Sequence, residues 1–148
     1  MSNKAEFLTD FIVLDITEDQ EVQRLKLLEP FRVYSAVLQD QVQVSEGFEF
    51  DGESIPLFLQ GLVKPFGQSR RGACVHDWLY RHGGYYRADS SFVPVTRKQA
   101  DAVYRELILA KGLAPWRAAT RYSILRLVGW TAWNQNEKNR FYDPILHP

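Results

Sequence analysis

The spacing of apolar positions changes near residue 50 of the chain. Before that point apolar and polar residues alternate. Val42 and Val44 interleave with Gln41 and Gln43, and Arg24 to Leu28 and Phe31 to Leu38 carry the same two-residue repeat with β-branched and aromatic side chains. Such alternation places one face of a strand on a core and the other in water. Phe11-Ile12-Val13-Leu14 is a short apolar run before the polar stretch Thr17 to Glu21, which reads as a turn. Together these segments predict a small antiparallel meander ending at Gly47-Phe48. Pro30 marks its strand as an edge or a bulge, since proline has no ladder N–H.

From Ser54 onward the period lengthens to that of helices. Ser54-Ile55-Pro56 reads as a helix start, followed by Leu57, Phe58, Leu62 and Val63 and broken at Pro65-Phe66-Gly67. A second helix spans Gly72 to Arg81 and stops at Gly83-Gly84; a loop with Tyr85, Tyr86, Asp89 and Pro94 follows. Thr96 caps a third helix from Arg97 to about Lys111, ended by Gly112. Pro115 opens a fourth, long helix through about Asn136, apolar at Ala119, Tyr122, Leu125, Leu127, Val128 and Trp133. The expected class is therefore α+β, an N-terminal antiparallel β-meander followed by a bundle of about four helices. One domain is expected over residues 1–148, with its core roughly at 10–136 and an extended C-terminal tail at 137–148.

Composition narrows the function classes. A length of 148 residues suffices for a hydrophobic core without staples. A formal net charge of zero argues against nucleic acid as a partner, because phosphate-backbone binding draws on a basic surplus. The local clusters Arg70-Arg71 and Arg117, Arg121 and Arg126 remain as possible basic patches. The single cysteine, Cys74, excludes a disulfide scaffold. Met1 to Glu6 lacks the apolar core of a signal peptide, and no apolar run reaches membrane-spanning length, so synthesis in the cytoplasm without a transmembrane segment is expected.

Four polar positions stand out: Asp51, His76, Asp77 and Asp101. His76-Asp77-Trp78-Leu79-Tyr80 sets an imidazole beside a carboxylate in an apolar segment, and burying an unpaired charge is costly. On a helix His76 and Tyr80 share one stripe at the i,i+4 spacing, with Asp77 turned to the next. Asp77 could pair with Arg81, and His76 could be a core histidine bonded to a carbonyl. Against that bland alternative stands Asp101, in the apolar setting Ala100-Asp101-Ala102-Val103. If the second and third helices pack antiparallel, Asp101 faces His76, and a buried carboxylate on one ring nitrogen raises the basicity of the other. That is the geometry of a general base for water. Asp51, in a strand-to-helix turn, either caps the next helix with Gly52 supplying a positive φ or points into a cleft. Ser54 lacks the second glycine of a hydrolase elbow and reads as a cap. Cys74 lies on a different helix face from His76 and reads as a small core residue, while His82 and His147 read as surface groups. One cysteine and three scattered histidines give no zinc spacing. Oxygen ligands from Asp51 and Asp77 would favour calcium, with magnesium as second choice.

Two resemblances overlap on these residues. The turn Gly47-Phe48-Glu49-Phe50-Asp51-Gly52-Glu53-Ser54-Ile55-Pro56, the helix His76-Asp77-Trp78-Leu79-Tyr80 and then Ala100-Asp101 resemble an uncharacterised family of tailed phages and prophages. Its pattern is a GFxTDxASxP turn, an HDWLY helix, an AD helix and a final arginine-rich aromatic helix, covering roughly residues 24 to 134 here. Phe50 stands for the usual threonine and Glu53 for the usual alanine. The resemblance implies phage or prophage origin. More locally, His76-Asp77-x-x-Tyr80 with Asp101 on a following helix is similar to the active site of secreted phospholipase A2. That resemblance implies His76 as base, Asp77 as calcium ligand, Asp101 as orienter of the ring and Tyr80 as its support. Leu79 replaces a half-cystine of those enzymes and no glycine-rich calcium loop precedes the helix, so Asp51 would take over part of that loop's work. The resulting expectation is a metal-assisted hydrolase acting on a lipid ester or the cell envelope. The alternative is a virion (tail or baseplate) or assembly protein, partnered by phage structural proteins, that uses the same residues as a structural network. A small early protein acting against a host defence is a third option.

Overall fold

The protein is described by a computed structural model covering residues 2–18, 24–51 and 69–140. The helix expected from Ser54, part of the polar turn before Arg24 and the end of the tail with His147 lie outside these residues. Six strands come first: β1 (Glu6–Phe7), β2 (Val13–Asp15), β3 (Leu25–Leu27), β4 (Phe31–Ser35), β5 (Asp40–Val44) and β6 (Glu49–Phe50). After them come α1 (Arg70–His82), the hairpin β7 (Gly84–Tyr86) and β8 (Phe92–Pro94), then α2 (Arg97–Ala110), α3 (Pro115–Val128) and α4 (Trp130–Asn139). The α+β class and the order of strands before helices are as the sequence implies.

The strands divide between two three-stranded antiparallel sheets, ordered β1-β4-β5 and β2-β3-β6. In the first, Val33 pairs with Val42 and Phe31 with Val44, so alternate residues of both strands enter the core together. Pro30 lies directly before β4, which is the central strand of its sheet and not an edge, so the missing N–H falls outside the ladder. The loop expected after α1 is a hairpin, with Tyr85 opposite Val93. Tyr85 is 1% exposed, and its hydroxyl donates to Asp40 at 2.8 Å, which anchors the hairpin to β5.

Leu25, Leu27, Val33, Val42, Val44 and Phe50 from the sheets meet Val75 and Leu79 of α1 and Val103 and Leu107 of α2 in one core. Each such side chain contributes about 1.5–3 kcal/mol on burial. A smaller cluster, Ala73, Tyr104, Ile108, Leu113, Ala118 and Leu125, joins α1, α2 and α3. Gly72 lies against Tyr104 and Ile108, while His76 and Tyr80 lie against Asp101, so α1 and α2 run antiparallel. A Cβ at Gly72 would sit 2.9 Å from the Ile108 side chain, which explains the glycine at this crossing.

Helix ends follow local chemistry. Gly83 takes φ +71 and stops α1. Thr96 and Gln99 form a capping box at the start of α2. The long fourth helix of the sequence reading is instead two helices that meet at Gly129. There the Arg97 guanidinium donates to Leu125 O at 3.0 Å and Arg126 O at 3.2 Å, and Leu125 O also accepts from Gly129 N at 2.8 Å. The buried face of α3 is also narrower than expected: Ala118 and Leu125 are buried, whereas Leu127 is 74% exposed.

Candidate functional site

The antiparallel crossing of α1 and α2 brings His76, Tyr80 and Asp101 together. His76 Nε2 lies 2.9 Å from Asp101 Oδ1, and the Tyr80 hydroxyl donates to that same oxygen at 2.6 Å. The i,i+4 spacing of His76 and Tyr80 on α1 is what permits both to reach one carboxylate. The imidazole is packed between aromatic rings, 4.1 Å from Tyr80 and 5.3 Å from Tyr104 between centroids. Asp101 is fully buried and His76 is 2% exposed.

The other oxygen of Asp101 is also taken. Arg126 Nη1 donates to Oδ2 at 2.8 Å, and Arg97 Nη1 stands 3.5 Å away. Sequence reasoning missed both arginines. For Arg97 the i,i+4 spacing to Asp101 was a usable signal; for Arg126, on α3, no local signal exists. The sequence groups Arg126 with Arg117 and Arg121 as a local basic patch, but its guanidinium is bound to buried Asp101.

The second ring nitrogen, His76 Nδ1, lies 3.8 Å from Asp77 Oδ1. Burial works to lower the His76 pKa, but the hydrogen bonds and charges of Asp101 and Asp77 outweigh it, and the net direction is up from 6.5. Asp101 moves the opposite way: burial would raise it, yet His76, Tyr80 and Arg126 together hold it below its ordinary 3.8. Tyr80 is pushed well above the usual tyrosine range by burial and by the charge of Asp101, so it stays a hydrogen-bond donor.

Asp77 and Tyr80 line a cleft of about 520 Å³, and Asp51 at the end of β6 lines it too. Its remaining walls are Arg24, Glu49 and Phe50 from the sheet, Arg81 from α1, and Thr131, Ala132, Gln135 and Asn136 from α4. Asp51 and Asp77 thus share one cavity with Tyr80, while His76 lies behind that wall. As hard oxygen donors the two carboxylates suit calcium or magnesium as part of a shell. Among the described residues no group of three or more His, Cys, Asp or Glu side chains stands at metal-binding spacing.

The other sequence expectations divide. Cys74 is fully buried, and burial, with the charge of Asp77, pushes its thiol well up, as suits a small core residue. His82 is not a surface group: it is 5% exposed, its Nδ1–H donates to Trp78 O at 3.0 Å and its ring lies 3.9 Å from that of Trp78. Ser54 and Gly52 lie outside the described residues. A further, half-buried acceptor has no signal in the sequence. Glu106 of α2 accepts from the Ser35 hydroxyl and from the backbone N–H groups of Ala36 and Val37 at 3.1 and 3.2 Å.

Comparison with known proteins gives one match: the family described as "Protein of unknown function (DUF1353)" covers residues 25–124 of the chain. No curated protein and no solved structure matches it.

Proposed function

The chain belongs to that family, whose description names no activity, and from the geometry of its site we propose that it is a hydrolase in which His76 activates water. The observation that carries this reading is the fixing of His76 Nε2 on buried Asp101, with Tyr80 on the same oxygen and Nδ1 directed toward the wall formed by Asp77. Holding one ring nitrogen on a carboxylate sets the tautomer and leaves the other nitrogen to take a proton. Asp101 is the orienting residue and Tyr80 steadies it. Asp51 and Asp77 would hold a hard cation, calcium before magnesium, which when bound polarises a substrate carbonyl. The four-residue resemblance to phospholipase A2 supports the assignment of roles, and the likeness to phage and prophage proteins supports a lipid ester or another component of the cell envelope as substrate, met during infection or lysis.

His76 must shed its proton to act, and its pKa lies above the ordinary value. Hydrolysis therefore rises with pH through a point above 6.5 and then levels off. Replacing His76 by Ala lowers turnover by about 10²–10⁴-fold, the usual contribution of a positioned base, in a protein that still folds. Assays on phospholipid and peptidoglycan substrates with added calcium, alongside calcium titration by calorimetry, make the test. No turnover on either substrate and no heat of calcium binding would remove the proposal.

The burial of His76 and the saturation of Asp101 by three donors and the Arg97 charge favour a second reading, in which the network locks α1, α2 and α3 of a virion or assembly protein. Mass spectrometry of purified particles separates the two: a chain missing from the virion leaves this second reading without support.

A further inference from the structure

The α4 wall of the cleft specifies what the cleft can hold. Gly129 ends α3 where an added Cβ would lie 2.5 Å from Leu125 O and 2.6 Å from the Tyr80 hydroxyl. This close approach sets the start of α4 against Tyr80. Trp133 then packs edge-on to the Tyr80 ring at 5.1 Å, with the Arg140 guanidinium 4.5 Å from the Trp133 ring. So anchored, α4 lines the cleft with Thr131 and Gln135, four residues apart on one stripe, and with Asn136 beside them. The rest of the cleft adds Arg81, the carboxylates Asp51 and Asp77, and Arg24 paired with Glu49 at 3.0 Å.

Of the eleven described residues around the cleft, Phe50, Ala132 and the Tyr80 ring are the apolar ones, and the other eight are polar or charged. An acyl chain gains only where its methylenes leave water for apolar surface, and the described lining offers more polar than apolar surface. Side-chain amides do the reverse: each carries both a donor and an acceptor, the complement of a peptide group. Arg81 adds a cation suited to a carboxylate.

We infer that the cleft binds a short polar peptide in preference to a lipid acyl chain, with Gln135 and Asn136 reading its amide groups and Arg81 its terminal carboxylate. This rests on the hydrolase reading for the chemistry that follows binding, not for binding itself. Among components of a cell envelope it selects peptide over phospholipid.

The test is binding by NMR with two probes, tetraalanine bearing a free carboxylate and monomeric diheptanoyl phosphatidylcholine. Tetraalanine is expected to give saturable shifts at the side-chain amide resonances of Gln135 and Asn136, and the lipid none there. Gln135→Ala and Arg81→Gln, both changes of exposed residues, each weaken tetraalanine binding by roughly 3–10-fold, the value of one lost hydrogen bond. Lipid-induced shifts at these residues without peptide-induced ones would overturn the inference, as would unchanged peptide affinity in both variants. Saturable peptide binding with no turnover of any peptide or ester would uphold the inference and sink the hydrolase reading.

Discussion

At the scale of single residues, Asp101 is the point on which the site depends. It accepts from His76, Tyr80 and Arg126, with Arg97 in ion-pair range, and none of it reaches water. Replacing it with Asn keeps the shape but removes the charge that faces the His76 ring and two guanidinium groups. Asp101→Asn is expected to cost about 3–5 kcal/mol of stability, as breaking one side of a buried ion pair does, measured by urea unfolding. The same cluster sets a pH dependence of two signs. His76 is raised above 6.5, so its stabilisation is complete below that pH and is lost as pH rises through the folded-state value. Asp101 is lowered below 3.8, so its stabilisation is present above that pH and is lost as pH falls through the folded-state value. Unfolding free energy should therefore be greatest between the two and decline on both sides, and His76→Gln should flatten the alkaline decline. A decline above pH 6.5 that is unchanged in His76→Gln would mean the ring is not held as an imidazolium.

At the scale of elements, the ends of helices were readable because capping is local. Thr96 followed by Gln99 is a three-residue signal, and the box forms as that signal implies, with the Thr96 hydroxyl accepting from Gln99 N at 3.1 Å. Thr96→Ala should cost about 1 kcal/mol. The break at Gly129 had no such signal. Its neighbours there are Arg97 and Tyr80, residues more than 30 positions away, so the sequence reads as one continuous helix. Gly129→Ala pushes a methyl group against Leu125 O and the Tyr80 hydroxyl, and should destabilise by about 1–3 kcal/mol. Because the same contact seats α4, this variant should also shift the Gln135 and Asn136 resonances in the free protein, a change Thr96→Ala should not produce.

At the scale of the whole molecule, the strands and helices are joined by polar contacts as well as by the apolar core. Glu106 carries the most telling of these. Burial raises its pKa, while Ser35 and the N–H groups of Ala36 and Val37 favour its charged form, and the net shift is upward. It fastens α2 to the turn between β4 and β5, some 70 residues earlier in the chain. Glu106→Ala leaves those N–H groups without their acceptor and should cost about 1–3 kcal/mol. Faster hydrogen exchange at Ala36 and Val37, with the His76 and Tyr80 region unaffected, would show that this fastening is separate from the site.

Periodicity and caps were enough to establish the α+β class, the span of the central strands and the two helices of the site, and, on condition that those helices pack antiparallel, they pointed to the meeting of His76 with Asp101. Each of these follows from side chains near one another in sequence or from the burial of one face. Tertiary structure alone decided the division into two sheets, the Tyr85 hairpin, the inward turn of Arg126, the grip of Glu106 and the joining of α4 to Asp51 and Asp77 in one cleft. A hydrophobic pattern records which face of an element is buried and is silent about which distant side chain will meet it there.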